Sequence, residues 1–229
     1  MEALHALTAE LHSGFLVLAF VGIVAVFLCQ VVVRYRTRMP RLLVKWAVKS
    51  RGYFEATGYV AAVAGVIALL LSAYTGMNAW PLDQLLDSAI IRNKILLTIF
   101  ATILWIGVVL IRTKFGRSLW TCPQISLLYT GLAVVAFGLT STVGSLGAHI
   151  TQGGSFLDPL WEAVGIDLTK DLSLDVTVAM FVAIGGVILL IFSLLAAVIS
   201  GIAKEEFRPK NCTSWSKWDE PKIGDGGQQ

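Results

Sequence analysis

Five apolar runs, each close to the length that crosses a bilayer, alternate with short polar stretches along this chain. They cover roughly 13–34, 56–77, 92–112, 124–148 and 176–203. A run near twenty apolar residues fits the hydrocarbon thickness, and only a helix satisfies its own backbone polar groups there. The pattern therefore predicts an all-α polytopic membrane bundle of five transmembrane helices over residues 1–203, followed by a polar cytoplasmic tail over 204–229. The first run does not read as a cleaved signal, because its basic cluster follows it instead of preceding it.

Two shorter stretches complete the element list. RMPRLLVKWAVKSRGYF (38–54) sets Leu42, Leu43, Trp46 and Ala47 beside Arg41, Lys45 and Lys49, which predicts an interfacial helix lying in the headgroup layer. In SFLDPLWEAVGIDLTKDLSLD (155–175), Asp158 can cap and Pro159 suits a first helical position, predicting a short surface helix over 159–165. That helix would press Leu160, Trp161 and Val164 against the bundle or the interface. In the tail, Trp215 and Trp218 read as anchors to headgroups or to a partner.

Composition agrees with the pattern. Of 229 residues, 56% are hydrophobic and 14% charged, with a mean hydropathy of +0.74, where a soluble domain carries about 25% charged residues. The position of the charge matters more than the net +3. Fifteen of the 18 basic residues lie in the loop after the first span, the loop after the third, and the tail; only Arg92, Lys94 and Lys170 lie opposite. Positive loops stay in the cytoplasm, so the N-terminus is expected outside and the C-terminus inside a cell membrane. All three cysteines, Cys29, Cys122 and Cys212, then fall on the reducing side and are expected as thiols.

Close-packing positions recur: Ala61 with Gly65, Ala64 with Ala68 and Ser72, Ala133 with Ala136, and Gly131 with Gly138. Small residues let helices approach closely, and the hydroxyls of Thr140, Ser141, Thr142 and Ser145 are expected to bond across that interface.

No Asp, Glu, Lys or Arg occupies the middle of any span. Pumps and proton-coupled transporters need ionisable groups there, and inverted-repeat transporters need broken helices, so transport is disfavoured. No GxSxG, HExxH or phosphate-loop pattern occurs, so no catalytic residue is assigned, and nothing points to nucleic acid. The histidines remain. His12 opens the first span and His149 closes the fourth at one expected depth, and His5 shares a face with His12 if 2–12 is helical. Imidazoles on two helices at one level are what an axial haem b or a copper ion needs, so His12 and His149 are the candidate cofactor ligands and His5, His12 and His149 the candidate metal ligands. The plainer expectation is that His149, in the last turn of its helix, donates to an unpaired carbonyl, with Gly153 and Gly154 too far along to cap.

The stretch HALTAELHSGFLVLAFVGIVAVF (5–27), continued through AYTGMNAW (73–80), RNKILLTIFATILWIGVVLIR (92–112) and LTSTVGSLGAHITQGG (139–154), resembles an uncharacterised family of small four-helix membrane proteins with a His-Pro…His opening, some fused to Rieske domains. This chain lacks the proline, carries Asn93 where a histidine is expected, and adds a fifth span. The resemblance implies a redox-associated membrane module. SWSKWD (214–219) is similar to the C-terminal end of archaeal ammonia monooxygenase A subunits. Together they lead to the expectation of a non-catalytic accessory subunit of a larger membrane oxidoreductase, a respiratory oxidase or copper membrane monooxygenase. Its partners would be other integral membrane subunits and lipids. The alternative is a small electron-transfer protein holding one haem b or copper at His12 and His149.

Overall fold

The computed structural model describes residues 2–79, 88–163 and 165. Among them there is no strand. Four helices are long and apolar enough to cross a membrane: α1 (Glu2–Arg34), α2 (Arg41–Ala79), α3 (Ala89–Phe115) and α4 (Pro123–Gln152). A 3-10 turn (Gly116–Thr121) joins α3 to α4, and a one-and-a-half-turn helix α5 (Asp158–Ala163) follows α4. The chain is thus an all-α, multi-pass membrane protein. The run 176–203, expected as a fifth span, and the tail from 204 lie outside the described residues.

Local signals account for the helix limits. Pro40 stands just before α2 and Pro123 opens α4 at its first position, where the missing N–H costs nothing. Gly116 (φ 56°) ends α3 and Gly153 (φ 76°) ends α4, the latter giving its N–H to the His149 carbonyl at 3.2 Å. Glycine reaches these left-handed angles without a Cβ penalty.

Two expectations need correction here. The interfacial helix over 38–54 is not a separate element: its residues from Arg41 on are the first turns of α2, which continues unbroken for 39 residues. No proline falls between 41 and 79, and a single Gly52 does not stop a helix, so charge content alone misplaced the boundary. The fourth span also runs past Ala148 to Gln152, so Gly153 is its cap after all.

α1 packs chiefly along α2, α3 along α4, and the contacts of α1 with α4 and α2 with α3 close the ring. The tightest seam is α1 against α2. A Cβ on Gly22 would stand 2.7 Å from Gly58 Cα and 3.0 Å from the Phe54 carbonyl oxygen, so the two backbones touch. Six residues away, Leu16 lies over Gly65, and Ala61, Ala62, Ala68 and Ser72 are buried on α2. The core continues through Leu16, Ala19 and Ile23 to Trp105 and Val108 on α3 and Ala133 and Ala136 on α4. Phe20 of α1 stacks flat on Phe137 of α4, centroids 4.1 Å apart. Of the expected interhelical hydroxyls, Thr140 accepts from Trp105 Nε1–H across the α3–α4 seam at 3.0 Å. Ser141 and Thr142 instead bond back to carbonyls of their own helix. Gly131 and Gly138 face outward, and among the described residues nothing lies within 4 Å of an added Cβ.

Candidate functional site

Ionisable side chains gather at the two ends of the bundle. At the end where the basic loops lie, Glu55 is buried, its side chain 2% exposed, and forms an ion pair with Arg112 of α3. Its second oxygen takes Arg117 Nε–H at 3.3 Å. The Arg112 guanidinium also lies over the Tyr59 ring, 5.1 Å from its centroid, and the Tyr59 hydroxyl meets Thr113 at 2.8 Å. Two guanidinium groups, one from α3 and one from the turn after it, so clamp one carboxylate of α2. Sequence reasoning passed over Glu55, although the signal was available: it is the only acid between Glu10 and Asp83, set among basic residues. Cys122, beside this end, is disulfide-bonded, which corrects the expectation that all three cysteines stay thiols. Cys29 is free and buried, and Cys212 lies outside the described residues.

The other end carries all three histidines. His5 Nδ1–H donates to the Ser72 carbonyl at 3.0 Å, with Thr75 Oγ1 at 3.3 Å, and its ring lies against Gly76, where a Cβ would come within 3.0 Å of Cε1. His12 Nδ1–H donates to the Thr8 carbonyl at 3.2 Å. Thr8 and Thr75 meet at 3.1 Å, so this part of α1 is hydrogen-bonded to α2 rather than standing off it. The helix that makes His5 and His12 share a face is as expected.

His149 belongs to a different arrangement. Its Nε2 meets Asp158 Oδ1 at 2.8 Å, while Asp158 Oδ2 accepts from Ser155 N–H at 2.8 Å and Ser155 Oγ accepts from Leu157 N–H at 3.2 Å. The Asp158 carboxylate and the Ser155 hydroxyl thereby satisfy the Ser155 and Leu157 amides of the loop that leads into α5. The S-x-x-D spacing was present in SFLD and went unread. His149 therefore ties the end of α4 to the loop instead of donating to a carbonyl. Leu160 of α5 is 55% exposed, so it is not pressed into the bundle, which leaves the interface as the surface it would face.

The candidate ligands His12 and His149 are held apart in role and depth. His12 lies eight residues from Phe20 and His149 twelve from Phe137, so across the stacked pair His149 is one turn farther out. Its Nε2 is engaged by Asp158, so only Nδ1 is left to face a metal. Lys94 of α3 adds a further obstacle, since it acts electrostatically on both His5 and His12. A resident metal cation would meet that ammonium. Among the described residues no group of three His, Cys, Asp or Glu side chains is arranged to hold a metal ion.

Asp158 carries a pH prediction. The Ser155 N–H holds its carboxyl below the ordinary range; burial opposes this as the next largest effect, and the His149 hydrogen bond and charge add to the lowering. A lowered folded-state pKa stabilises the loop above the ordinary carboxylate value, and that stabilisation is lost as pH falls through the lowered one. Protection of the Ser155 and Leu157 amides, taken relative to the intrinsic exchange rate, is expected to hold at neutral pH and to fall on acidification. Asp158→Asn should flatten this pH dependence; an unchanged profile in that variant would refute the assignment.

Comparison of the chain with known protein families, curated proteins and solved structures finds no match to any of them.

Proposed function

We propose that this chain is a non-catalytic integral subunit of a larger membrane oxidoreductase, of the respiratory oxidase or copper membrane monooxygenase kind. The observation that supports this reading best is the outer face of α4. Gly131 and Gly138, seven residues apart, are open to close approach and are flanked by the exposed Leu127, Leu128, Val134 and Val135. Small residues between branched apolar ones form a surface on which another membrane helix packs closely. Glu55 with Arg112, and His5 with the Ser72 carbonyl, tie helices of the bundle together near its two ends. The association with an oxidoreductase rests on the two resemblances in the sequence.

The test is gentle extraction and co-purification. Wild-type protein is expected to leave the membrane with other integral proteins, and Gly138→Leu to leave without them while keeping its helix content. Recovery of the wild type as a lone monomer would count against the proposal. A Soret band near one haem per chain would favour the electron-transfer alternative.

The proposed orientation has the histidine end outside and the basic end in the cytoplasm. The Cys122 disulfide pulls the other way, because cytoplasmic thiols are kept reduced. We give the charge distribution the greater weight, since fifteen basic residues contribute to it. In a variant with the native cysteines replaced by serine, a cysteine at Thr151 is expected to react with an impermeant maleimide on intact cells. One at Arg36 should react only after permeabilisation. The reverse pattern would invert the orientation and explain the disulfide.

A further inference from the structure

The Phe20–Phe137 stack closes the contact between α1 and α4 in mid-bundle, but the same faces separate toward the histidine end. Gly144, one heptad beyond Phe137 on the same side of α4, is exposed, and a Cβ there would meet nothing within 4 Å. Ser13, one heptad back from Phe20 on α1, is exposed as well. Among the described residues neither position is covered, which leaves a cleft between α1 and α4 open above the apolar Phe20–Phe137 pair. His12 borders it: its Nδ1–H is committed to Thr8, and its Nε2 lies 3.5 Å from Ser13 Oγ, whose own hydrogen goes to the Ala9 carbonyl.

Lys94 supplies the charge. It lies flat against the backbone of α4, where a Cβ on Gly147 would stand 3.2 Å from Nζ and 3.6 Å from Cε. Among the described residues its ammonium has no carboxylate in ion-pair range and no hydrogen-bond acceptor, yet it is near enough to act on both imidazoles. The only described carboxylate that acts on His12 is Glu10, which is exposed, and none acts on Lys94. A partly buried ammonium without a counter-charge is costly, and a bound anion removes that cost. The cleft also lies near the helix ends, Lys94 being five residues in from the start of α3, which is headgroup depth.

We propose that this cleft binds the phosphate group of an anionic phospholipid, with Lys94 as the charged donor, His12 beside it, and an acyl chain running down over Phe20 and Phe137. The apolar floor favours a lipid over free phosphate, because a free ion has nothing to place there. Basic pockets between membrane helices bind phospholipid headgroups in this way.

Native mass spectrometry of the full chain in detergent, titrated with phosphatidylglycerol or phosphatidylcholine, tests the proposal. One phosphatidylglycerol per chain is expected to be retained in preference to phosphatidylcholine. Lys94→Gln should weaken retention about tenfold, the loss expected for one charge-assisted hydrogen bond, whereas Lys94→Arg should preserve it. Gly144→Leu, which fills the cleft from open space without touching a charge, should weaken retention equally. Equal retention of the two lipids would overturn the proposal, as would retention indifferent to Lys94→Gln and Gly144→Leu. Displacement of the lipid by inorganic phosphate alone would assign the site to a free ion. Stoichiometric copper binding abolished by His12→Ala, in a protein that shows no preference for phosphatidylglycerol, would replace the lipid by a metal.

Discussion

Glu55→Ala is expected to destabilise the bundle more than any other single replacement of a charged residue. The substitution leaves the Arg112 guanidinium, whose side chain is 13% exposed, without its carboxylate, and takes from Arg117 its second-oxygen contact. Breaking a buried pair from one side costs about 3–5 kcal/mol, because the remaining charge stays desolvated. That is a large part of the 5–15 kcal/mol by which a typical domain is stable. Removing both charges together is a different matter. Glu55→Leu combined with Arg112→Met should recover much of the loss, since Arg117 is 59% exposed and returns to water. Thermal unfolding in detergent, followed by helix content, reads the comparison. A double variant no better than Glu55→Ala would mean that the pair contributes through geometry that apolar side chains cannot replace.

The second large effect is expected at Gly22. Here an added methyl meets backbone on both sides, Gly58 Cα at 2.7 Å and Phe54 O at 3.0 Å, and neither can rotate away. Gly22→Ala must push α1 and α2 apart, with a cost of about 1–3 kcal/mol, and Gly22→Val should prevent the seam from closing. Gly58→Ala is milder, since its nearest contacts are at 3.3 Å. Gly131→Ala serves as the contrast: it meets nothing, and alanine's better helix propensity should stabilise by up to about 1 kcal/mol. If Gly22→Ala and Gly131→Ala had the same effect on the unfolding midpoint, the close approach of α1 and α2 would be refuted.

These two predictions also mark where sequence reading succeeds and where it stops. The helices of the bundle were legible because hydropathy over twenty residues is a local quantity, set by the bilayer rather than by the fold. The Ala61–Gly65 spacing pointed correctly to a packed face of α2, since both partners of the motif lie on one helix. Gly58 with Ala62 has small-xxx-small spacing on α2, but Gly22 has no small residue four positions away on α1, and their pairing depends on how α1 and α2 are set against each other. The same limit applies to Glu55, whose partners are on α3 and the turn after it, and to Lys94, whose neighbour Gly147 is on α4. His149 was read correctly as a last-turn residue, but the helix was ended four residues early, so its cap at Gly153 and its partner at Asp158 were both missed. Gly131 and Gly138, read as a packing pair, do face one way, but toward no other described helix.

At 1.5 Å per residue, the 39 residues of α2 measure about 58 Å, against about 30 Å of hydrocarbon. Tilting cannot hide so long a rod in the hydrocarbon, so its first turns, which carry Leu42, Lys45 and Trp46 and pack through Ala47 on α1, lie beyond the apolar layer. Whatever meets those turns is set at a fixed height above the hydrocarbon and at a fixed angle about the helix axis, as a key is by its shank. Turning the helix by one residue's worth, about 100°, would carry Gly58 off Gly22 and drive a side chain into the seam. The glycine contact is therefore a detent: it lets the helix stand in one angular position and resists the neighbouring ones.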